Sequence, residues 1–253
     1  MKVLAVIPAR YASTRFPSKP LALLGGKPII QWVWECVSQM PTLDEAIVAT
    51  DDERILKAVQ QFGGKAMMTS SLHRSGTDRC GEVLHNLENN GCQYDVVINL
   101  QGDEPFTQQS QLNSLIACFN DSRTQIATLK TSISTFGELS SPNNVKVVCG
   151  EKGQALYFSR QPIPFLRGVE PAEWLSRQPY YKHVGIYAFR AETLKELVQL
   201  EPSPLEKSES LEQLRWLENG YTIQVRPTAQ ANIGIDTPED LAAAEHYLLN
   251  LKK

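Results

Sequence analysis

Residues 2–20 read KVLAVIPARYASTRFPSKP, and the organisation of the chain follows from them. Lys2–Pro8 reads as a buried strand: from Val3 the apolar residues follow one another without polar alternation, as in a strand covered on both faces. Beyond it, Ile29, Trp32, Val33, Cys36, Val37 and Met40 recur at helical spacing, with Pro28 placed at the first turn. Ala46–Thr50 is the next strand, and the spacing of Thr50 and Glu53 predicts a capping box at the start of the helix that follows. Ser75-x-x-Asp78 opens another helix, with its stripe on Cys80, Val83, Leu84 and Leu87. Asp95–Leu100 is a third strand, running into Gln101-Gly102-Asp103-Glu104-Pro105. Strand, helix, strand, helix, strand predicts an α/β chain of three layers, Rossmann-like, with a mostly parallel sheet between helices. Ligands of such sheets sit beyond the carboxyl ends of the strands, which selects the loops 8–19, 50–53 and 101–105.

Past residue 125 the rhythm changes and the sheet is expected to become mixed. Thr128–Ile133 and Val145–Cys149 read as strands, with an antiparallel pairing open to them. Residues 160–182 carry Pro162, Pro164, Pro171 and Pro179 and read as an extended arm. Val184–Phe189 reads as a strand, Leu205–Asn219 as one helix and Tyr221–Arg226 as a strand. Thr237-Pro238-Glu239-Asp240 supplies cap, first-turn proline and box partner for a last helix striped by Leu241, Ala244, Leu248 and Leu251. The expectation is a single domain over 1–253, with roughly 130–205 as an inserted subdomain or arm that forms a subunit contact.

Composition narrows the function classes. The 253 residues are 42% hydrophobic and 21% charged, enough for a core without disulfides or a structural metal. A net charge of −3 leaves no basic footprint for nucleic acid or an anionic membrane surface. The run Val3–Ala9 is far shorter than the ~18 residues of a membrane span, and Arg10 stops it without the pattern of a secretory signal. Five scattered cysteines (Cys36, Cys80, Cys92, Cys118, Cys149) without C-x-x-C fit a reducing, cytoplasmic setting.

Three loops hold residues able to do chemistry. The first offers Arg10, Arg15 and Lys19 with the hydroxyls of Ser13 and Thr14, and as far as Lys27 it contains no acid. Leaving a strand's carboxyl end, such a loop can surround a polyphosphate with N–H groups and fixed charge; a solvated basic turn is the alternative. Neither a Walker A pattern nor G-x-G-x-x-G is present. In the second loop Asp103 follows Gly102 at a strand end, suited to Mg²⁺ or to an Asx-type turn. In the third, Asp236 precedes the last helix, as a second carboxylate for the metal or as an acid favoured by the helix dipole. Two carboxylates and a cationic loop together make a place for a metal–triphosphate.

In order and spacing, IPARYASTRFPSKPL (7–21), VATDDERI (48–55), SGTDR (75–79), NLQGDEP (99–105), NNVKVV (143–148), ALYFSR (155–160), KHVGIYAF (182–189), LEQLR (211–215) and GIDTPEDL (234–241) together resemble the 3-deoxy-manno-octulosonate cytidylyltransferases, within the wider group of sugar nucleotidyltransferases. The resemblance implies transfer of CMP from CTP to an acidic eight-carbon sugar (Kdo) with Mg²⁺ and release of pyrophosphate, in a homodimer. It implies nucleotide contacts at Arg10, Ser13, Arg15 and Lys19, cytosine-side contacts at Ser75, Gly76 and Arg79, and metal carboxylates at Asp103 and Asp236. It places the sugar at Gln101, Arg160, His183, Tyr187, Glu212 and Gln213. Ser18 stands where the family pattern commonly has glycine, so a positive φ there would set the loop's geometry. The rival substrates are a sialic acid or an amino-substituted octulosonate, and the rival class is a non-catalytic sugar-nucleotide sensor.

Overall fold

The computed structural model describes residues 1–12, 16–229 and 234–251. The chain divides into two compact units, Met1–Asn113 with Asn232–Lys253, and Ser114–Ala231. The second unit starts before residue 130 and runs past 205.

In the first unit, β1 (Val3–Ala9) is the inner strand. A small hairpin, β2 (Leu23–Leu24) and β3 (Lys27–Pro28), leads into α1 (Ile29–Ser38). Then come β4 (Glu45–Thr50), α2 (Glu53–Gln61), β5 (Ala66–Met68), α3 (Gly76–Asn89) and β6 (Val96–Asn99). All pairings in the order β6-β1-β4-β5 are parallel, with Ala5 opposite Ile98 on one side and Ala46 on the other. Helices cover both faces, so Val3, Leu4, Ala5, Val6 and Ile7 are all buried, which is why the strand shows no alternation. The stripe of α1 buries Ile29, Ile30, Val33 and Val37. Two helix starts differ from expectation. Pro28 is the cap of α1 rather than part of its first turn. The cap of α2 is Asp52, not Thr50: its carboxylate accepts from the Arg54 N–H at 2.9 Å. The Ser75–Asp78 box on α3 is present in both directions.

Helix α4 (Gln109–Cys118) crosses the boundary between the units. The second unit then holds β7 (Ile126–Ser132), α5 (Phe136–Ser140), β8 (Lys146–Cys149), β9 (Ala155–Ser159), α6 (Trp174–Arg177), β10 (Tyr181–Arg190), α7 (Ala191–Leu197), α8 (Pro204–Glu209), α9 (Glu212–Glu218) and β11 (Ile223–Pro227). Strand β11 runs parallel to β7, and the β7–β10, β10–β8 and β8–β9 pairings are antiparallel. The chain is thus α/β with a mixed, mostly parallel sheet and a β8–β9 hairpin. The last helix, α10 (Pro238–Leu251), belongs to the first unit. It buries Ala244 and Leu248 against Leu24, Ile29 and Ile235; the side chain of Leu251 lies outside the description.

Two expectations for the second unit are corrected. Residues 160–182 are not an extended arm: a 3₁₀ turn (Pro171–Glu173) and α6 fold around Trp174, which packs with Ile133, Leu139 and Tyr180. The four prolines masked that small apolar cluster. Leu205–Asn219 is two helices rather than one, broken at Ser210 with φ +52°. The side chain of Arg160 takes the carbonyls of Glu209 and Ser210 at that break, through Nε at 2.7 Å and Nη2 at 3.2 Å. Arg215 on α9 then makes a fork onto Glu206 of α8, at 2.7 and 2.6 Å. Long-range contacts of this kind carry no local sequence signal.

Lys146 has no solvent exposure, and its ammonium donates to the carbonyls of Ser141 (2.9 Å), Asn144 (2.6 Å) and Arg160. It acts as an internal cation that gathers three carbonyls from two stretches of backbone. Lys146→Met keeps the apolar stem and strands three carbonyls, so denaturant unfolding is expected to show a loss of about 3 kcal/mol.

Candidate active site

The carboxyl ends of the parallel strands in the first unit open onto a cleft of about 240 Å³. Pro8, Ala9, Arg10, Lys19 and Pro20 line it from the first loop, His73, Arg74, Ser75, Gly76 and Arg79 from the loop and helix after β5, and Gln101, Gly102, Asp103 and Asp236 from the remaining two loops. Sequence reasoning passed over His73 and Arg74, whose only signal is that they directly precede the Ser75 cap.

At the centre stands Lys19. Its Nζ lies 2.5 Å from Asp103 Oδ2 and 3.0 Å from Asp236 Oδ1. Burial works against this charge, but the two carboxylates outweigh it and hold the pKa above the ordinary lysine value. The backbone brings the acids together independently: the Ile235 N–H donates to the Asp103 carbonyl at 3.0 Å. Asp240 receives the N–H groups of Asp236 and Thr237 at 3.0 and 2.9 Å, which fixes the chain just before α10. Gly102 allows a close approach, since a Cβ there would stand 2.8 Å from the Pro8 carbonyl oxygen.

The first loop is closed at its neck by the Ser18 N–H on the Tyr11 carbonyl (3.1 Å). Ser18 has φ +57°, so the position does use the left-handed backbone that glycine adopts most easily. The guanidinium of Arg54 lies 3.3 Å above the Tyr11 ring while forking onto Asp52 at 2.8 and 2.6 Å, so the start of α2 braces the loop. Arg10 is exposed on the rim. Ser13, Thr14 and Arg15 lie outside the described residues. Arg79 is buried with its guanidinium on Asp51 (2.6 Å), Thr69 (2.8 Å) and the Ser70 carbonyl (3.1 Å), so it builds the wall of the cleft. Ser75 accepts the Asp78 N–H at 3.1 Å as the helix cap. Gln101 donates to Asn99 at 3.2 Å, which leaves its amide oxygen as an acceptor.

The other residues expected to meet the sugar belong to the second unit. His183 and Tyr187 lie on one face of β10 with ring centroids 5.2 Å apart. A bulge between Val184 and Tyr187 inserts two residues, which preserves the alternation and keeps both rings on that face. The His183 Nε2 lies 2.9 Å from Thr128 Oγ1, and burial pushes the imidazole pKa down to about 3. The Tyr187 hydroxyl is buried without a hydrogen-bond partner among the described residues; burial, and then the charge of Glu212, raise its pKa well above the ordinary value. Glu212 and Gln213 form the first turn of α9, and Gln213 is buried. Arg160 also gives Nη1 to the Pro142 carbonyl at 2.9 Å. With three of its five N–H groups committed to backbone, it brings two to any carboxylate, not a free fork.

Among the described residues no cluster of three or more His, Cys, Asp or Glu could hold a metal by itself, and no helix is long and apolar enough to cross a membrane. Two converging carboxylates nevertheless fit Mg²⁺, which keeps waters and takes its other ligands from phosphate.

An α/β sheet with a cationic loop and two acids converging in one cleft defines a nucleotide-handling enzyme, and a family model described as cytidylyltransferase matches residues 4–223. The chain belongs to that family. A 3-deoxy-manno-octulosonate cytidylyltransferase of Phocaeicola vulgatus is 60% identical over 251 residues, 98% of each chain. One of Bacteroides thetaiotaomicron is 56% identical over 253 residues, 99% of each chain. The solved structure of a CMP:2-keto-3-deoxy-manno-octonic acid synthetase complexed with CTP is 43% identical, with a TM-score of 0.91 over 99% of this chain and 100% of that one.

The depressed His183 pKa has a consequence for acid stability. The folded chain keeps this ring neutral down to about pH 3, whereas the unfolded chain protonates it near ~6.5. Its contribution is complete above ~6.5 and declines as the pH falls toward 3. Thermal melts between pH 7 and 4.5 should show a shallower loss of Tm in His183→Asn than in the wild type.

Proposed function

We infer that this chain transfers CMP from CTP to the anomeric hydroxyl of Kdo, releasing pyrophosphate and forming CMP-Kdo for lipopolysaccharide synthesis. The observation that carries the reading is the meeting of Asp103 and Asp236 on the Lys19 ammonium inside a cleft bounded by Arg10. These are the fixed charges that a reaction between a triphosphate and a hydroxyl needs. Arg10, Lys19 and Asp103 fall within the residues 4–223 that the cytidylyltransferase family model matches.

Asp103 and Asp236 are the residues proposed to hold Mg²⁺. The ion, when bound, neutralises triphosphate charge and lowers the pKa of the attacking hydroxyl. Lys19, Arg10 and Arg15 take up the charge that grows on the departing pyrophosphate; Lys19 enters the reaction already oriented, so little reorganisation remains to be done. Ser13 assigns its hydroxyl to the same phosphates. Ser75, Gly76 and Arg79 shape the wall proposed for the base. On the sugar side, Arg160 receives the carboxylate through its two uncommitted N–H groups. The Tyr187 hydroxyl has no hydrogen-bond partner among the described residues, and pairing with a sugar hydroxyl would remove the cost of burying it alone. His183, Glu212, Gln213 and the Gln101 amide oxygen complete the proposed sugar contacts.

A homodimer is part of the proposal. The second unit leaves Leu156 65% and Phe165 72% exposed, large apolar side chains of the kind that a second copy covers. A cytoplasmic setting is supported by an odd number of widely spaced cysteines.

Two measurements check these assignments. Pyrophosphate release should require CTP, Kdo and a divalent cation together, and Asp103→Asn should lower kcat/KM by about a thousandfold or more with an unchanged melting profile. Near-normal turnover would remove Asp103 from the metal site. Sedimentation equilibrium should give twice the mass of the chain, and a monomer at working concentration would contradict the dimer.

A further inference from the structure

The side chains of the cleft fall into two sets. Arg10, Lys19, Asp103 and Asp236 are the charged set assigned to phosphate and metal. The second set comes from the loop after β5 and the first turn of α3. Within it, the Arg79 guanidinium is committed to Asp51, Thr69 and Ser70, and Ser75 accepts from the Asp78 N–H. Arg74 is exposed and has only donors to offer.

His73 is different. Its Nε2 meets Oε2 of Glu82, in the second turn of α3, and the same oxygen accepts the Ser70 N–H at 2.9 Å. An ionised carboxylate has no proton to give, so the hydrogen of this pair sits on Nε2. With that hydrogen on Nε2, the uncharged form of the ring offers Nδ1 as its acceptor, in a side chain that lines the cleft and is 24% exposed. Glu82 therefore fixes both the tautomer and the orientation of the imidazole, as an orienting carboxylate does for a functional histidine.

We propose that His73 reads the nucleobase: its Nδ1 accepts a hydrogen bond from the exocyclic 4-amino group of cytosine. This rests on the cytidylyltransferase reading of the cleft and adds to it the residue that distinguishes CTP from UTP. Uracil carries an oxygen at that position, so UTP would face Nδ1 with a second acceptor and leave both unpaired. Selectivity of this type comes from penalising the wrong partner as much as from rewarding the right one. Glu82 is the positioning residue. It acts through the ring and does not itself meet the nucleotide.

The test is calorimetric titration of the full chain, with Mg²⁺ present, against CTP and separately against UTP. The wild type should prefer CTP. His73→Leu should weaken CTP binding about tenfold and leave UTP binding unchanged, so that the preference collapses. His73→Asn, whose amide oxygen stands close to the Nδ1 position, should keep most of the preference. Glu82→Gln, which no longer dictates the tautomer, should reduce it, and this variant supplies the same comparison if His73→Leu does not melt cooperatively. An unchanged CTP/UTP ratio in His73→Leu and Glu82→Gln, or an equal loss for both nucleotides, overturns the proposal. A wild type that prefers CTP in this titration yet forms no CMP-Kdo would refute the proposed reaction alone, so the two failures are distinguishable.

Discussion

One ammonium group organises the first unit. Lys19 stands between carboxylates that enter from distant stretches of the sequence, and without a cation there the two acids would repel across a partly buried space. The parallel sheet delivers Asp103 at the end of β6 and Lys19 beyond β1. The stretch before α10 delivers Asp236, tied down by Ile235 on Asp103 and by the Thr237–Asp240 cap. Fold and chemistry meet at that point, because β1 and β6 are parallel neighbours and their following loops carry Lys19 and Asp103 side by side.

The same arrangement explains why the charged loop needs its supports. A cationic segment carrying Arg10, Arg15 and Lys19 repels itself, and Phe16 ties it to the core cluster around Leu24 and Ile29. Its ends are held by the Ser18–Tyr11 backbone bond, by the stacking of Arg54 on Tyr11, and by Lys19 among the acids. The left-handed backbone of Ser18 is the local cost of making so tight a neck with a side chain present.

Much of the first unit was legible in the sequence for physical reasons. A strand covered on both faces has to be apolar throughout, and the Ser75–Asp78 box is a local device with a local signature. Asp103 was legible because the loops at the carboxyl ends of parallel strands share one edge, whereas Asp236 had only its place before the last helix and the family resemblance to mark it. Apart from the cap of α2, what was misread depended on partners remote in sequence. Asp52 displaces Thr50 as a cap because its carboxylate can serve the Arg54 N–H and guanidinium at once. The break at Ser210 is stabilised by Arg160, about fifty residues away, and the cluster around Trp174 is hidden among prolines. Arg160 looked like a free guanidinium because nothing in ALYFSR announces three waiting carbonyls. His73 was passed over because its meaning comes from Glu82, which on its own reads as an ordinary helix acid.

The central claim is that Asp103 and Asp236 form one divalent-ion site that operates with the bound nucleotide. Binding of Mn²⁺ in the presence of CTP, followed by electron paramagnetic resonance on the wild type and on Asp103→Asn, Asp236→Asn and Lys19→Met, tests it most directly. The account predicts that each aspartate substitution alone abolishes the protein-bound signal, whereas Lys19→Met retains it. A bound signal of wild-type strength in either aspartate variant would contradict the account.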